Sequence, residues 1–192
     1  MRSTACLAAI TVVCVLVPLW ANAHGSADAL PRFWMGVQHL ITAPLPLAAS
    51  IGLGVTVAFA SVAATWLAIC AAGLAAFIAA AAEPTAFAGA PAMAVIAITG
   101  ITSISGWNPP AWFALLLALA TGAVAAAASN VGLQHWDAAL GLGAMVVVIS
   151  GWAAKILQYA RSLPQLQDVA PIARQVIGAW ATAIAMLLAM AS

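Results

Sequence analysis

Long apolar runs with almost no charge are the feature that most restricts how this chain can fold. Of its 192 residues, 66% are hydrophobic and only 5% are charged, whereas roughly a quarter of the residues in an ordinary soluble domain carry a charge. A helix that spans a bilayer needs about 20 predominantly apolar residues, and the runs here do not alternate as a β-barrel requires. The sequence therefore predicts an all-α fold, a polytopic transmembrane helix bundle, and excludes a water-soluble globule.

The small number of charged and reactive side chains excludes further classes of protein. A net charge of +1 provides no basic face for a phosphate backbone, so nucleic-acid binding is not expected. Cys6, Cys14 and Cys70 lie within apolar runs, which predicts neither a disulfide framework nor a thiolate metal site. No nucleophile lies at a usable spacing from a base, and no acid is paired with a base, so we do not expect an enzyme.

Residues 1–23 have the features of a signal peptide. Arg2 precedes an apolar run from Ala5 to Trp20, and Ala21-Asn22-Ala23 has the small-residue form of a cleavage site. The alternative is an uncleaved first helix, which the short run and the polar segment 24–32 disfavour. Cleavage after Ala23 gives a mature chain, 24–192, that begins with His24, whose α-amino group and imidazole together can chelate a divalent metal.

The mature chain divides into six predicted spans, which should form one six-helix transmembrane domain. Prolines, glycines and asparagines interrupt the apolar runs and set the approximate limits. Pro44 and Pro46 are expected to bend the first span. The predicted spans are 34–59, 62–82, 86–105, 111–128, 133–154 and 174–190.

The positive residues predict how these spans are oriented. The only sizeable polar loop separates the fifth span from the sixth and carries Lys155, Arg161, Asp168 and, at its end, Arg174. Because positive loops stay in the cytoplasm, counting back five crossings places the mature N-terminus outside, as the signal peptide also requires. Trp34 and Trp136 then fall near the outer interface.

The few ionisable residues near the outer face are candidates for a metal site. Placing a charged side chain within the bilayer costs a free energy of about 3 kcal/mol or more, so a charged residue found there usually has a function. Imidazole with carboxylate suits nickel, cobalt, zinc or copper. On one helix, His135 and Asp137 project about 200° apart, so they cannot both face one ion. The alternative is that the histidines are interfacial residues hydrogen-bonded to neighbouring helices. The candidate ligands are His24, His39, His135 and Asp137, with Asp28 and Glu83 at the same face.

The segment from Gly36 to Val55 resembles the first mature span of the HupE/UreJ family, membrane proteins associated with hydrogenase and urease maturation. Other similar features are a signal peptide that ends before His24-Gly25, six mature spans, an outside N-terminus and the turn Asn108-Pro109-Pro110 after the third span. Leu119-Ala120-Thr121 is similar to a recurring family segment. The resemblance implies uptake of nickel or cobalt, as transported substrate, through the bacterial inner membrane.

Several family motif positions hold other residues here. His39 matches the first motif histidine and Thr42 a small hydroxyl position, whereas the expected Asp and second His fall on Leu45 and Pro46. A second family motif would cover 101–108, where only Gly106 matches.

Two functions follow from these observations. The first is a nickel or cobalt permease that uses the candidate ligands at an outer vestibule. The second is a non-transporting accessory subunit that packs, through small-residue helices, against other subunits of a larger membrane complex.

Overall fold

The computed structural model describes residues 29–82, 90–128 and 136–191, and these residues form seven helices and no strand. The fold class is therefore all-α, as the sequence predicts. Residues 1–23, the predicted signal peptide, lie outside the described residues. The helices are α1 (Ala29–Thr42), α2 (Pro44–Val57), α3 (Val62–Ala81), α4 (Ala90–Ile104), α5 (Ala111–Ala128), α6 (Trp136–Ser162) and α7 (Val169–Ala191).

The first predicted span is two helices, because the chain breaks at Ala43. The backbone of Ala43 is extended, with φ −90° and ψ 118°, which is the conformation that a following proline favours. Pro44 then occupies the first position of α2, where the missing N–H costs nothing. The two helices meet at an angle of 79°, so the predicted bend is confirmed.

Helix α2 is the centre of the bundle and contacts α4, α5, α6 and α7. The hydroxyl of Ser150 in α6 donates to the carbonyl of Ser50 (2.9 Å), and the amide of Gln158 donates to the carbonyl of Ala58 (3.4 Å). Residue numbers therefore rise together along α2 and α6, and the two helices run in the same direction.

The other contacts define the remaining directions. Thr56 of α2 shares a 3.0 Å hydrogen bond with Ser103 of α4, and a Cβ at Gly52 would lie 2.9 Å from the Thr99 hydroxyl, so α4 is also parallel to α2. Helix α7 is antiparallel to α4, because Gly100 lies against Thr182 while Gly178 lies against Ser103.

Helix α3 is antiparallel to α6. A Cβ at Gly73 would lie 2.3 Å from Cγ2 of Val147, and a Cβ at Gly143 would lie 3.1 Å from Cβ of Phe77. Thus α2, α4 and α6 run one way, and α3 and α7 run the other. The end of the bundle at which α2, α4 and α6 finish and α7 begins is called here the arginine end. The opposite end, where α6 begins, is the histidine end.

Within the described part of the chain, length and composition identify three helices able to span a membrane, α3, α5 and α6, or four if the bent pair α1–α2 counts as one span. The apolar helices Pro91–Ile104 and Val169–Ile184 are shorter. This count is lower than the six spans that the sequence predicts.

The predicted polar loop between the last two spans is shorter than expected. Helix α6 continues to Ser162, so Lys155 and Arg161 are helical, and α7 already begins at Val169. Asp168 alone of the four predicted loop residues lies in the connection 163–168, and Arg174 lies in the second turn of α7.

Candidate functional site

Of the four predicted metal ligands, His39 and Asp137 belong to the described residues, whereas His24 and His135 lie outside them, as do Asp28 and Glu83. His39 is half-buried in the last turn of α1. Asp137 is in the first turn of α6 and is only 7% exposed. No group of three or more metal-ligating side chains occurs within the described ranges.

A close crossing of α1 and α6 brings His39 and Asp137 to the same end of the bundle. A Cβ at Gly36 would lie 2.0 Å from the carbonyl oxygen of Ala138, and one at Gly141 would lie 2.1 Å from that of Phe33. The contacts at Ala138, Gly141 and Leu142 put this crossing close to the beginning of α6. Helix α1 therefore lies near the histidine end.

The carboxylate of Asp137 is incompletely paired. Its Oδ1 atom is buried and has no hydrogen-bond partner. A buried carboxyl oxygen without a hydrogen-bond partner is costly. A cation at this position would remove that cost, and a half-buried imidazole in the adjacent helix supplies a ligand of the type that transition metals prefer.

Buried hydroxyl groups occupy the bundle between its two ends, and most of them bond to backbone. Ser50 and Thr56 donate to carbonyls one turn earlier in α2, at 2.8 Å each. Thr121 does the same in α5, at 2.8 Å. Such bonds satisfy a hydroxyl within its own helix, and they explain how a core that contains several serines and threonines packs without charge.

The arginine end contains a buried cation that sequence reasoning did not assign to any site. Arg174 is only 2% exposed. Its guanidinium donates to the carbonyl of Gly106 (3.2 Å), to Oδ1 of Asn108 (3.1 Å), to the carbonyl of Thr102 (3.4 Å) and to that of Trp107. All four acceptors are neutral, and Nε has no hydrogen-bond partner.

The turn after α4 explains why these acceptors are available. Pro109 and Pro110 have no N–H group and end the helical pattern, and Gly106 adopts φ +68°, so the carbonyls of Gly106 and Trp107 need a donor from elsewhere, which Arg174 supplies. The signal in the sequence was therefore the combination of this turn with one arginine just inside the last apolar run.

Arg174 and Arg161 also lie over the ring of Phe59, at 4.7 and 4.5 Å from its centroid.

No protein-family model, curated protein or solved structure matches the chain. Function therefore has to follow from the chemistry of the two ends of the bundle. The histidine end has a buried carboxylate oxygen without a partner, and the arginine end has a buried guanidinium with neutral partners.

Proposed function

We propose that the chain is a six-span protein of the bacterial inner membrane, with residues 1–23 removed as a signal peptide and the mature N-terminus outside. The directions of the helices support this topology. Helices α2, α4 and α6, which belong to the first, third and fifth predicted spans, run one way, and α3 and α7, from the second and sixth, run the other way. Such an alternation is what successive crossings produce.

For its function we propose binding and transport of a divalent cation, nickel or cobalt, by a permease of the HupE/UreJ kind. The observation that carries this proposal is the buried Oδ1 of Asp137, which has no hydrogen-bond partner and lies at the end of the bundle that also holds His39. The cation would enter at the histidine end, with His39 and Asp137 as ligands and with His24 and His135 as further ligands from the same face.

Metal binding by the purified full-length chain tests this function. Calorimetric titration with Ni²⁺ and Co²⁺ should show affinity reduced at least about tenfold in Asp137→Asn and in His39→Ala, because even residues behind the direct ligands contribute that much. Asp168→Asn removes an exposed carboxylate at the other end, and Gln38→Ala changes the exposed neighbour of His39, so neither control should alter binding. Equal affinities in all five proteins would refute the site.

A second candidate function, a non-transporting accessory subunit, is favoured by the arginine end. A cation that leaves the bundle there would meet Arg161 and Arg174, and arginine side chains oppose the passage of cations. Uptake of Ni²⁺ into proteoliposomes separates the two functions. Uptake that Asp137→Asn abolishes supports the permease, whereas metal binding without uptake, together with stable partner subunits after mild detergent extraction, supports the accessory subunit.

A further inference from the structure

A polar cleft of about 490 Å³ opens at the arginine end. Its walls come from four parts of the chain: the turn after α2, the turn after α4, the end of α6 and the beginning of α7. The side chains that give it chemical character are Asn108, Arg161, Gln167, Asp168, Arg174 and Gln175. The cleft is separate from the proposed metal site, which lies at the opposite end.

The charges around the cleft leave a positive excess. Two guanidinium groups, of Arg161 and Arg174, face one carboxylate, that of Asp168. Arg174 is held by neutral acceptors alone, so its bonds fix its position without neutralising its charge. Both guanidiniums lie within 4.7 Å of the centroid of the same ring, Phe59. Two like charges held at one ring repel each other, and a bound anion would offset that repulsion.

The donors that remain suit an oxyanion. Nε of Arg174 is without a partner, Arg161 is exposed, and the amides of Gln167 and Gln175 are exposed at the rim. Guanidinium groups bind phosphate through two parallel N–H bonds, and arginine is preferred over lysine for this purpose. The side chains of the cleft thus suit the binding of a phosphate group rather than of a cation or an apolar ligand.

The position of the cleft indicates where that phosphate comes from. Trp107 and Trp112 are exposed at the same end of the bundle, and exposed tryptophans of membrane proteins collect at the level of the lipid headgroups. The positive residues of this end place it on the cytoplasmic side, where anionic lipids attract basic groups and where basic pockets between helices bind phosphorylated headgroups.

We propose that the cleft lined by Arg161 and Arg174 binds the phosphate group of an anionic phospholipid. Phe59 positions both guanidiniums, Asn108 and the turn after α4 fix Arg174, and the exposed amides complete the site. The bound lipid would join the ends of α2, α4, α6 and α7, and the site needs no metal at the histidine end.

Native mass spectrometry of the full-length chain tests this site. The protein is released from detergent micelles that contain equal amounts of phosphatidylglycerol and phosphatidylcholine. We expect phosphatidylglycerol to be retained in preference. Arg161→Gln should lower its retention about fivefold, the effect of one arginine at an anionic membrane surface. Gln175→Glu, which adds a negative charge at the exposed rim, should lower it similarly.

Arg32→Gln is the matched control, since it removes one positive charge from α1 at the other end of the bundle. It should leave lipid retention unchanged, and Arg161→Gln and Gln175→Glu should keep the thermal midpoint of the parent protein. Equal retention of the two lipids, or equal retention by Arg161→Gln and Arg32→Gln, would overturn the proposal. Inorganic phosphate added at the same concentration should not displace the lipid. If it does, the ligand is free phosphate and the lipid assignment is wrong.

Discussion

Two buried residues with ionisable side chains, Asp137 and Arg174, differ in how far the fold satisfies their hydrogen bonds. Asp137 has an oxygen without a partner, whereas Arg174 donates four hydrogen bonds to the turn that follows α4 and to its last residues. A buried group with its hydrogen bonds made contributes to stability, and one without them costs free energy that a ligand can recover. We therefore expect Arg174 to contribute to the stability of the fold, whereas a ligand at Asp137 stays a proposal.

Replacement of Arg174 should destabilise the fold. Arg174→Met keeps the length of the side chain but removes the donors to Gly106, Trp107 and Asn108. The expected loss is about 1–3 kcal/mol in the free energy of unfolding, because acceptors lose their partners. Thermal or denaturant unfolding in one detergent measures it.

Arg161→Met is the control for this change. Arg161 is exposed, and exposed substitutions usually stay within about 0.5 kcal/mol. Equal unfolding free energies for the two variants would show that the bonds of Arg174 do not hold the turn.

At this scale the set of candidate ligands stays a prediction, and the arginine cleft was not predicted at all. Topology alone predicted His39 and Asp137 on one face, and the structure brings their helices together at one end. Arg174 was expected at the end of a polar loop, yet it is buried. Its acceptors lie 66 to 72 residues earlier in the chain, and no local spacing relates groups so far apart.

At the scale of helices, residues that cannot continue a helix predicted most of the boundaries. Helix α5 begins at Ala111, directly after Pro109-Pro110, and ends at Ala128, as expected. The end of α6 was predicted eight residues too early, at 154 instead of Ser162. Charge was the reason for that prediction, but Lys155 and Arg161 are good helix formers, so the helix continues beyond its apolar part.

Small residues determine how closely the helices approach, and α3 and α5 show this most directly. A Cβ on Gly122 would lie 2.2 Å from the carbonyl oxygen of Ala72 and 2.8 Å from the backbone nitrogen of Ala76. Backbone atoms cannot move aside as a flexible side chain can. The approach of the two helices therefore depends on the absence of a side chain at residue 122.

Gly122→Ala should separate α3 from α5 and lower the free energy of unfolding by about 1–3 kcal/mol, the usual cost of overpacking. Ala123→Val is the matched control, since it adds two methyl groups at the next, exposed residue of the same helix. The thermal midpoints of both variants in one detergent make the comparison. A midpoint unchanged in Gly122→Ala would contradict the observed contact.

At the scale of the whole molecule, the proposed six-span topology, in which α2, α4 and α6 run in a common direction, would put the histidine and arginine ends on opposite sides of the bilayer. Five crossings separate Gln38 from Gln167 in the proposed topology. Single cysteines at these exposed positions, in a chain with Cys6, Cys14 and Cys70 replaced by alanine, should therefore react differently with a membrane-impermeant maleimide. Gln38→Cys should be labelled in intact spheroplasts and Gln167→Cys only after permeabilisation.

Labelling of both cysteines from the same side would require an even number of crossings between them and would refute the six-span topology. Labelling of Gln167→Cys alone in intact spheroplasts would reverse the orientation. Full denaturation before labelling provides the control, because both cysteines should then react completely.

The bonds of Arg174 also have a consequence for biogenesis. Asn108 precedes Arg174 by 66 residues, so at roughly 5–20 residues per second the ribosome takes about 3–13 s to supply this donor. During that interval the carbonyl groups of Gly106 and Trp107 lack the donor that pairs them in the folded chain. A nascent chain truncated before α7 would keep them so permanently, and proteases that survey newly inserted proteins could thereby distinguish an unfinished molecule from a finished one.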